Sequence, residues 1–198
     1  MGTGKSILNK LFVLILTLVL AFWVLLPSKE QGLKMGDLPA LPRLEVLDLV
    51  LRAGVDLDSL LISRLSNSPY SHIGVVISTK PLQILHASST DTQNKVAISE
   101  WSDFLAHAKA LAIKRYVNLT HKERVMAHLK AQVGKEFRLT NDETRLYCTT
   151  LIEDAFKQGL NLNLAYEKLD LSLLSGKYLF PKAFYEDNAS LLLYEFKR

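Results

Sequence analysis

Among the 198 residues of this chain, one cysteine and five histidines are the groups best suited to nucleophilic chemistry. A lone cysteine has no partner for an internal disulfide, so Cys148 is either an inert buried thiol or a reactive one. It stands in the run Arg145-Leu-Tyr-Cys-Thr-Thr-Leu-Ile-Glu-Asp-Ala-Phe156, where Leu151, Ile152, Ala155 and Phe156 recur at helical spacing. That spacing predicts a helix from Cys148 to Lys157, closed by Gly159, with the thiol at its start. Free amide N–H groups at a helix N-terminus stabilise a thiolate, so a lowered thiol pKa is expected. Glu153 and Asp154 are expected to be solvated side chains that suit the dipole of the first turns.

A thiol nucleophile needs a base, and His72 opens the β-branched run His-Ile-Gly-Val-Val-Ile-Ser78. With period two, His72, Gly74, Val76 and Ser78 share one face of the predicted strand. Gly74 leaves room beside the imidazole for another backbone or a substrate. His86 ends the next apolar run, Leu82 to Ala87, and can meet His72 across a hairpin broken at Lys80-Pro81. Nucleophile, base and a third group that orients the base form the general triad plan. His121 and His128 share a helix face without a third ligand, and no metal or other cofactor is expected.

Several further elements must position these groups. Leu44 to Arg52 predicts a strand near 47–51, closed by Ala53-Gly54. Asp58 to Leu65 predicts a short helix capped by Asp56 or Asp58, ended by the turn Asn67-Ser-Pro69. Val96 to Ile98 predicts a third short strand. A helix is expected from Ser99 to Lys109, a strand from Leu111 to Val117, and a helix from Thr120 to Gln132 ended by Gly134. Strands and helices mixed without regular alternation indicate an α+β fold.

The N-terminus is a separate unit. Residues 11–26 carry no charge, Lys5 and Lys10 precede them, and Pro27 ends the run. At helical rise this stretch covers roughly 24 Å of a hydrocarbon core about 30 Å thick, and flanking residues can extend it. The basic flank favours a cytoplasmic N-terminus with the remainder exported. Small residues are missing at its end, so an uncleaved anchor is favoured over a cleaved signal peptide. Residues 1–27 are therefore expected to be a signal anchor, 28–43 a linker rich in glycine and proline, and 44–198 one compact domain. The net charge of +4 is dispersed, with no basic patch interleaved with aromatics, so no nucleic-acid partner is expected.

Taken in order, Leu47-Asp-Leu-Val-Leu-Arg52, Ser68-Pro-Tyr-Ser-His-Ile-Gly-Val-Val76, Leu85-His-Ala87 and Tyr147-Cys-Thr-Thr-Leu-Ile152 carry a family resemblance. The chain resembles the permuted papain-like amidases of the YiiX type, relatives of NlpC-type cell-wall peptidases and of the lecithin retinol acyltransferase group. The resemblance implies a circularly permuted papain-like (NlpC-like) fold, an antiparallel sheet packed with helices, with the histidine ahead of the cysteine. It further implies Cys148 as nucleophile and His72 as base, and His86 stands where such proteins carry an acid or a histidine. Tyr70, Ser71 and Tyr147 flank these motif positions and are expected near the substrate or the oxyanion. The expected activity is a thiol hydrolase cleaving an amide in a cell-wall peptide or similar envelope substrate. The alternatives are a lipid acyl ester or amide hydrolase or acyltransferase at the membrane, and a binding protein that keeps the fold.

Overall fold

The computed structural model describes residues 32–89, 94–171 and 174–198. The apolar run at 11–26, and with it the expected membrane helix, lies outside the described residues. Among the described residues no helix is long and apolar enough to cross a membrane.

The strands are β1 (Leu49–Gly54), β2 (His72–Thr79), β3 (Leu82–Ser89), β4 (Asn94–Glu100), β5 (Ala108–Arg115), β6 (Glu167–Asp170), β7 (Ser175–Tyr178) and β8 (Leu191–Lys197). The helices are α1 (Leu57–Ser66), α2 (Trp101–Ala106), α3 (Lys122–Ala131), α4 (Cys148–Phe156) and α5 (Pro181–Glu186). Six strands make one sheet in the order β4-β3-β2-β1-β5-β8, antiparallel at each pairing, and β6 pairs with β7 in a separate hairpin. The α+β class read from the sequence holds.

Both faces of the sheet are covered, which is why β1 has every residue buried and reads as an apolar run rather than an alternation. On one face Leu49, Leu51, Ile73, Val75 and Leu85 meet Val125 and Leu129 of α3 and Leu151, Ile152 and Phe156 of α4. On the other, Val50, Val76 and Ile84 lie under Trp101, Phe104 and Leu105 of α2. The stretch expected as a linker joins this second layer: its Leu33 and Leu38 are buried in it, alongside Leu44 of the domain. Leu33 N–H is held by the carbonyls of Leu105 and Ala108, at 3.1 and 2.8 Å.

Element boundaries moved for local reasons. Leu47 takes φ of +74°, in the left-handed region, so β1 starts at Leu49 and not at 47. Just beyond that kink, Asp48 is fully buried and accepts from Arg115 Nε and Nη2 at 2.6 and 2.8 Å. Asp56 caps α1 by accepting from Ser59 N–H at 2.8 Å. The helix expected from Ser99 begins only at Trp101, because Ser99 still pairs with Ile84 in the sheet. Thr120 does not cap α3; its hydroxyl donates to Gly159 O at 2.7 Å, and His121 takes the N-cap position.

Gly74 is a tight point of this packing beside the histidines. A Cβ there would stand 2.5 Å from Ile84 Cγ2, 3.1 Å from Phe104 and 3.3 Å from His86 Cβ. The space beside His72 thus belongs to these side chains rather than to a substrate. Gly74→Ala is expected to lower stability by about 1–3 kcal/mol, the usual cost of overpacking a close-packed core. Chemical denaturation checks this, and an unchanged midpoint would contradict it.

Candidate active site

The site lies where β2 begins and α4 begins. On β1 and β2, Arg52 and His72 are direct cross-strand partners, so their side chains share a face. Continuing the β2–β3 register, which pairs Val76 with Ile84, puts His86 opposite Gly74. His72 therefore reaches His86 diagonally across the space that glycine leaves. His86 in turn pairs with Ala97 on β4, and Ser99 is the diagonal neighbour on the same face. One polar row, Arg52–His72–His86–Ser99, crosses four strands.

The distances make this row continuous. His72 Nε2 and His86 Nδ1 are 3.0 Å apart, and His86 Nε2 and Ser99 Oγ are 2.9 Å apart. Each ring nitrogen in such a chain is a donor or an acceptor according to tautomer. The two rings meet edge to face, and Phe104 packs on both with centroids at 5.9 and 5.4 Å. Arg52 is anchored by Nη1 donating to Phe104 O at 2.8 Å, with its guanidinium 4.4 Å from the Phe104 ring centre.

Cys148 arrives from the opposite face of the sheet. It is the first residue of α4, with Tyr147 at the N-cap in extended conformation. Thr150 Oγ1 accepts from Tyr147 N–H at 3.0 Å, and Thr149 Oγ1 donates to Leu179 O at 2.7 Å, fixing the helix start. Cys148, His72, His86, Ser99, Arg52 and Tyr147 line one cavity of about 690 Å³.

Burial sets the protonation of these groups. Cys148 is only 8% exposed, and burial pushes its thiol up to about 11, against the opposing pull of the Ile73, Thr149 and Cys148 N–H groups and of Arg52. The lowered thiol pKa expected from the helix start is thus overturned: desolvation outweighs the dipole. Burial also holds His72 well below its ordinary value, with the nearby Arg52, His86 and His107 adding to the effect. His86 is brought down to about 3 by burial, then by Arg52 and His107. At neutral pH the site rests as a thiol beside two neutral imidazoles.

These elements match a known family. Residues 55–189 fit the permuted papain-like amidase enzymes of the YaeF/YiiX, C92 family. The chain belongs to that family. The fold is similar to the crystal structure of metalloprotein YiiX from Escherichia coli O157:H7, with a TM-score of 0.67 and 16% identity. That similarity covers 78% of this chain and 98% of the other. No curated protein matches the chain. Among the described residues no group of three or more His, Cys, Asp and Glu is placed to hold a metal ion.

Within this permuted papain-like domain, the cysteine and both histidines named from the sequence line one cavity, and the two histidines are in contact. Ser71 lines the cavity, but its Oγ accepts from Gly54 N–H at 2.9 Å. Tyr147 Oη accepts from Leu179 N–H at 3.0 Å. Tyr70 is fully buried away from the cavity lining and donates to Glu195 at 2.6 Å. Glu153 is not solvated as expected: it is buried and bound by Lys157 at 2.9 Å and by Tyr166 Oη. Sequence reading missed Arg52 and Ser99 as site residues. Their signal was a charge inside an apolar strand and a hydroxyl two places along β4 from the partner of His86.

Two outcomes follow from the protonation state. Iodoacetamide alkylation of Cys148 is expected to keep rising with pH through the alkaline range toward about 11; a plateau already reached below neutrality would contradict it. Because His86 is depressed to about 3 in the fold, the unfolded chain takes up protons first as pH falls below about 6.5. Stability is therefore fully present above about 6.5 and lost progressively toward about 3, which denaturation midpoints across that window check. A midpoint independent of pH there would contradict the buried neutral pair.

Proposed function

We propose that this domain is a cysteine hydrolase that cleaves an amide bond with Cys148, His72 and His86. The observation that carries the reading is the His72 Nε2 to His86 Nδ1 contact at 3.0 Å. It commits one nitrogen of His72 to the row and leaves Nδ1 as the ring's remaining group for the thiol. If Ser99 Oγ accepts from His86 Nε2, then His86 Nδ1 accepts from His72 Nε2, and His72 Nδ1 carries a lone pair. Attack then couples two events. Cys148 Sγ bonds to the carbonyl carbon as its proton passes to His72 Nδ1, which returns it to the leaving nitrogen. The Cys148 N–H, at the helix start, is the donor available to the oxyanion. Water then cleaves the thioester and regenerates the thiol.

The high thiol pKa suits this route. A thiol and a neutral base need no pre-formed ion pair, and the charges appear only as the proton moves. An imidazolium at His72 would face Arg52 across the β1–β2 pairing without a carboxylate in the row to balance it.

The apolar run at 11–26 supports placing the domain on the far side of a membrane, where an envelope amide or lipid is the available substrate. A reporter fused after Arg198 is expected to be active on the exported side, and cytoplasmic activity would contradict that placement.

Cys148→Ser is expected to abolish amide cleavage while the denaturation midpoint stays close to that of the parent. His86→Ala is expected to lower kcat by roughly ten- to a thousandfold and to add little in the His72→Ala background, since members of a unit are non-additive. His86→Glu, which can still accept from His72 Nε2, should recover part of the loss. Unchanged turnover in His86→Ala would remove it from the triad.

A further inference from the structure

The polar row Arg52–His72–His86–Ser99 has two ends that the triad does not use, and they differ in charge. At one end Arg52 is 7% exposed, and burial lowers its pKa only to about 10, so it remains a cation at neutral pH. At the other end Ser99 is half-buried on β4 and lines the cavity. Among the described residues its hydroxyl is bound only to His86 Nε2, at 2.9 Å. Asp103, in the first turn of α2, lines the same cavity on that side.

Burial keeps both imidazoles neutral, so each ring holds one proton and one lone pair. Two hydrogen bonds through such rings have two self-consistent arrangements. If Ser99 accepts, His86 donates from Nε2 and accepts at Nδ1, so His72 donates from Nε2 and keeps its lone pair on Nδ1. If Ser99 donates, every hydrogen turns round, and His72 carries its proton on Nδ1, where it is no base for the thiol. Both arrangements make the same two bonds, so the rings themselves do not choose. The choice falls to the hydroxyl, the one member whose hydrogen can rotate out of the row. The charges at the two ends favour the accepting state, because hydroxyl and N–H dipoles orient in the local field. The row's hydrogens then point away from Arg52, and the Ser99 O–H turns into the cavity on the Asp103 side. Asp103 is exposed and screened by solvent, so Arg52 is the larger influence.

We infer that Ser99 is a positioning residue of this site: by accepting from His86 Nε2 it fixes, through His86, the tautomer that leaves His72 Nδ1 open to the Cys148 proton. Its effect on rate rests on the thiol-hydrolase reading above, whereas the tautomer itself does not. Without the hydroxyl, the His86 Nε2–H is left buried with no acceptor, at the cost of an unmade hydrogen bond. Turning the row round removes that orphan and disarms His72.

The test compares Ser99→Thr with Ser99→Val, both β-branched and suited to a strand, so that they differ mainly in the hydroxyl. Two readouts are taken on the full-length protein. One is the long-range proton–nitrogen correlation spectrum of the histidine rings. The other is the rate of the p-nitrophenol burst from p-nitrophenyl acetate, with Cys148→Ser as its control. Ser99→Thr is expected to keep the parent's His72 proton on Nε2 and most of its burst rate. Ser99→Val is expected to move His72 to a mixture of tautomers or to the Nδ1-protonated form. Its burst should slow by roughly tenfold or more, a share of what a positioned general base contributes. Ser99→Ala, which adds no bulk, reads the same two quantities if valine disturbs β4. A serine with a merely structural part would shift denaturation midpoints and leave the His72 tautomer in place; that pattern overturns the inference. So does a Ser99→Val protein with the parent's spectrum and burst, which leaves the hydrolase standing. Absence of a Cys148-dependent burst in the parent overturns the hydrolase reading instead, and the spectra still decide the part of Ser99.

Discussion

Two imidazoles in hydrogen-bond contact cannot both be fully protonated, because one of the facing nitrogens must be a lone pair. At His72 and His86 this constraint is imposed in a desolvated place, beside a cation and under an aromatic ring. The neutral state of the pair, the high thiol pKa and the acid sensitivity of the fold are consequences of that desolvation. The contact itself depends on the geometry around it. The diagonal reach from His72 to His86 exists only because the residue between them on the face is Gly74 and because the β2–β3 register puts His86 opposite it.

The fold supplies the desolvation by covering both faces of its sheet. α2 brings Phe104 over the two rings and gives Arg52 a carbonyl to hold. α4 covers the other face, and its N-terminus projects to the sheet end where β2 starts. The helix start still favours a thiolate through its N–H groups, but a few such donors do not offset the removal of water from the sulfur. On the proposed mechanism this is an advantage. The thiol stays protonated until a carbonyl is present, and proton transfer to His72 accompanies bond formation.

Much of this could be read from the residues themselves. The strand starting at His72, the hairpin to His86 and the helix starting at Cys148 follow from period-two and helical spacing, and their order carried the resemblance to the permuted papain-like amidases. The pairing register did not follow, because it is fixed by contacts between strands and not within them. Ser99 was therefore read as a helix start when it completes β4, and Arg52 as the end of a strand when it faces the base. Glu153 looked solvated because its partners Tyr166 and Arg145 come from outside the helix. The elements after Gly159 gave no clear period: β6 and β7 have four residues each and α5 six, all held by tertiary packing.

The central claim is that His72 rests neutral, with its proton on Nε2 and its lone pair on Nδ1. Long-range proton–nitrogen correlation spectra of histidine-labelled protein near neutral pH read that state directly. The account predicts a protonated Nε2 and an unprotonated Nδ1 for His72, with His86 also protonated on Nε2 and accepting at Nδ1. A His72 ring protonated on both nitrogens, or carrying its single proton on Nδ1, would contradict it.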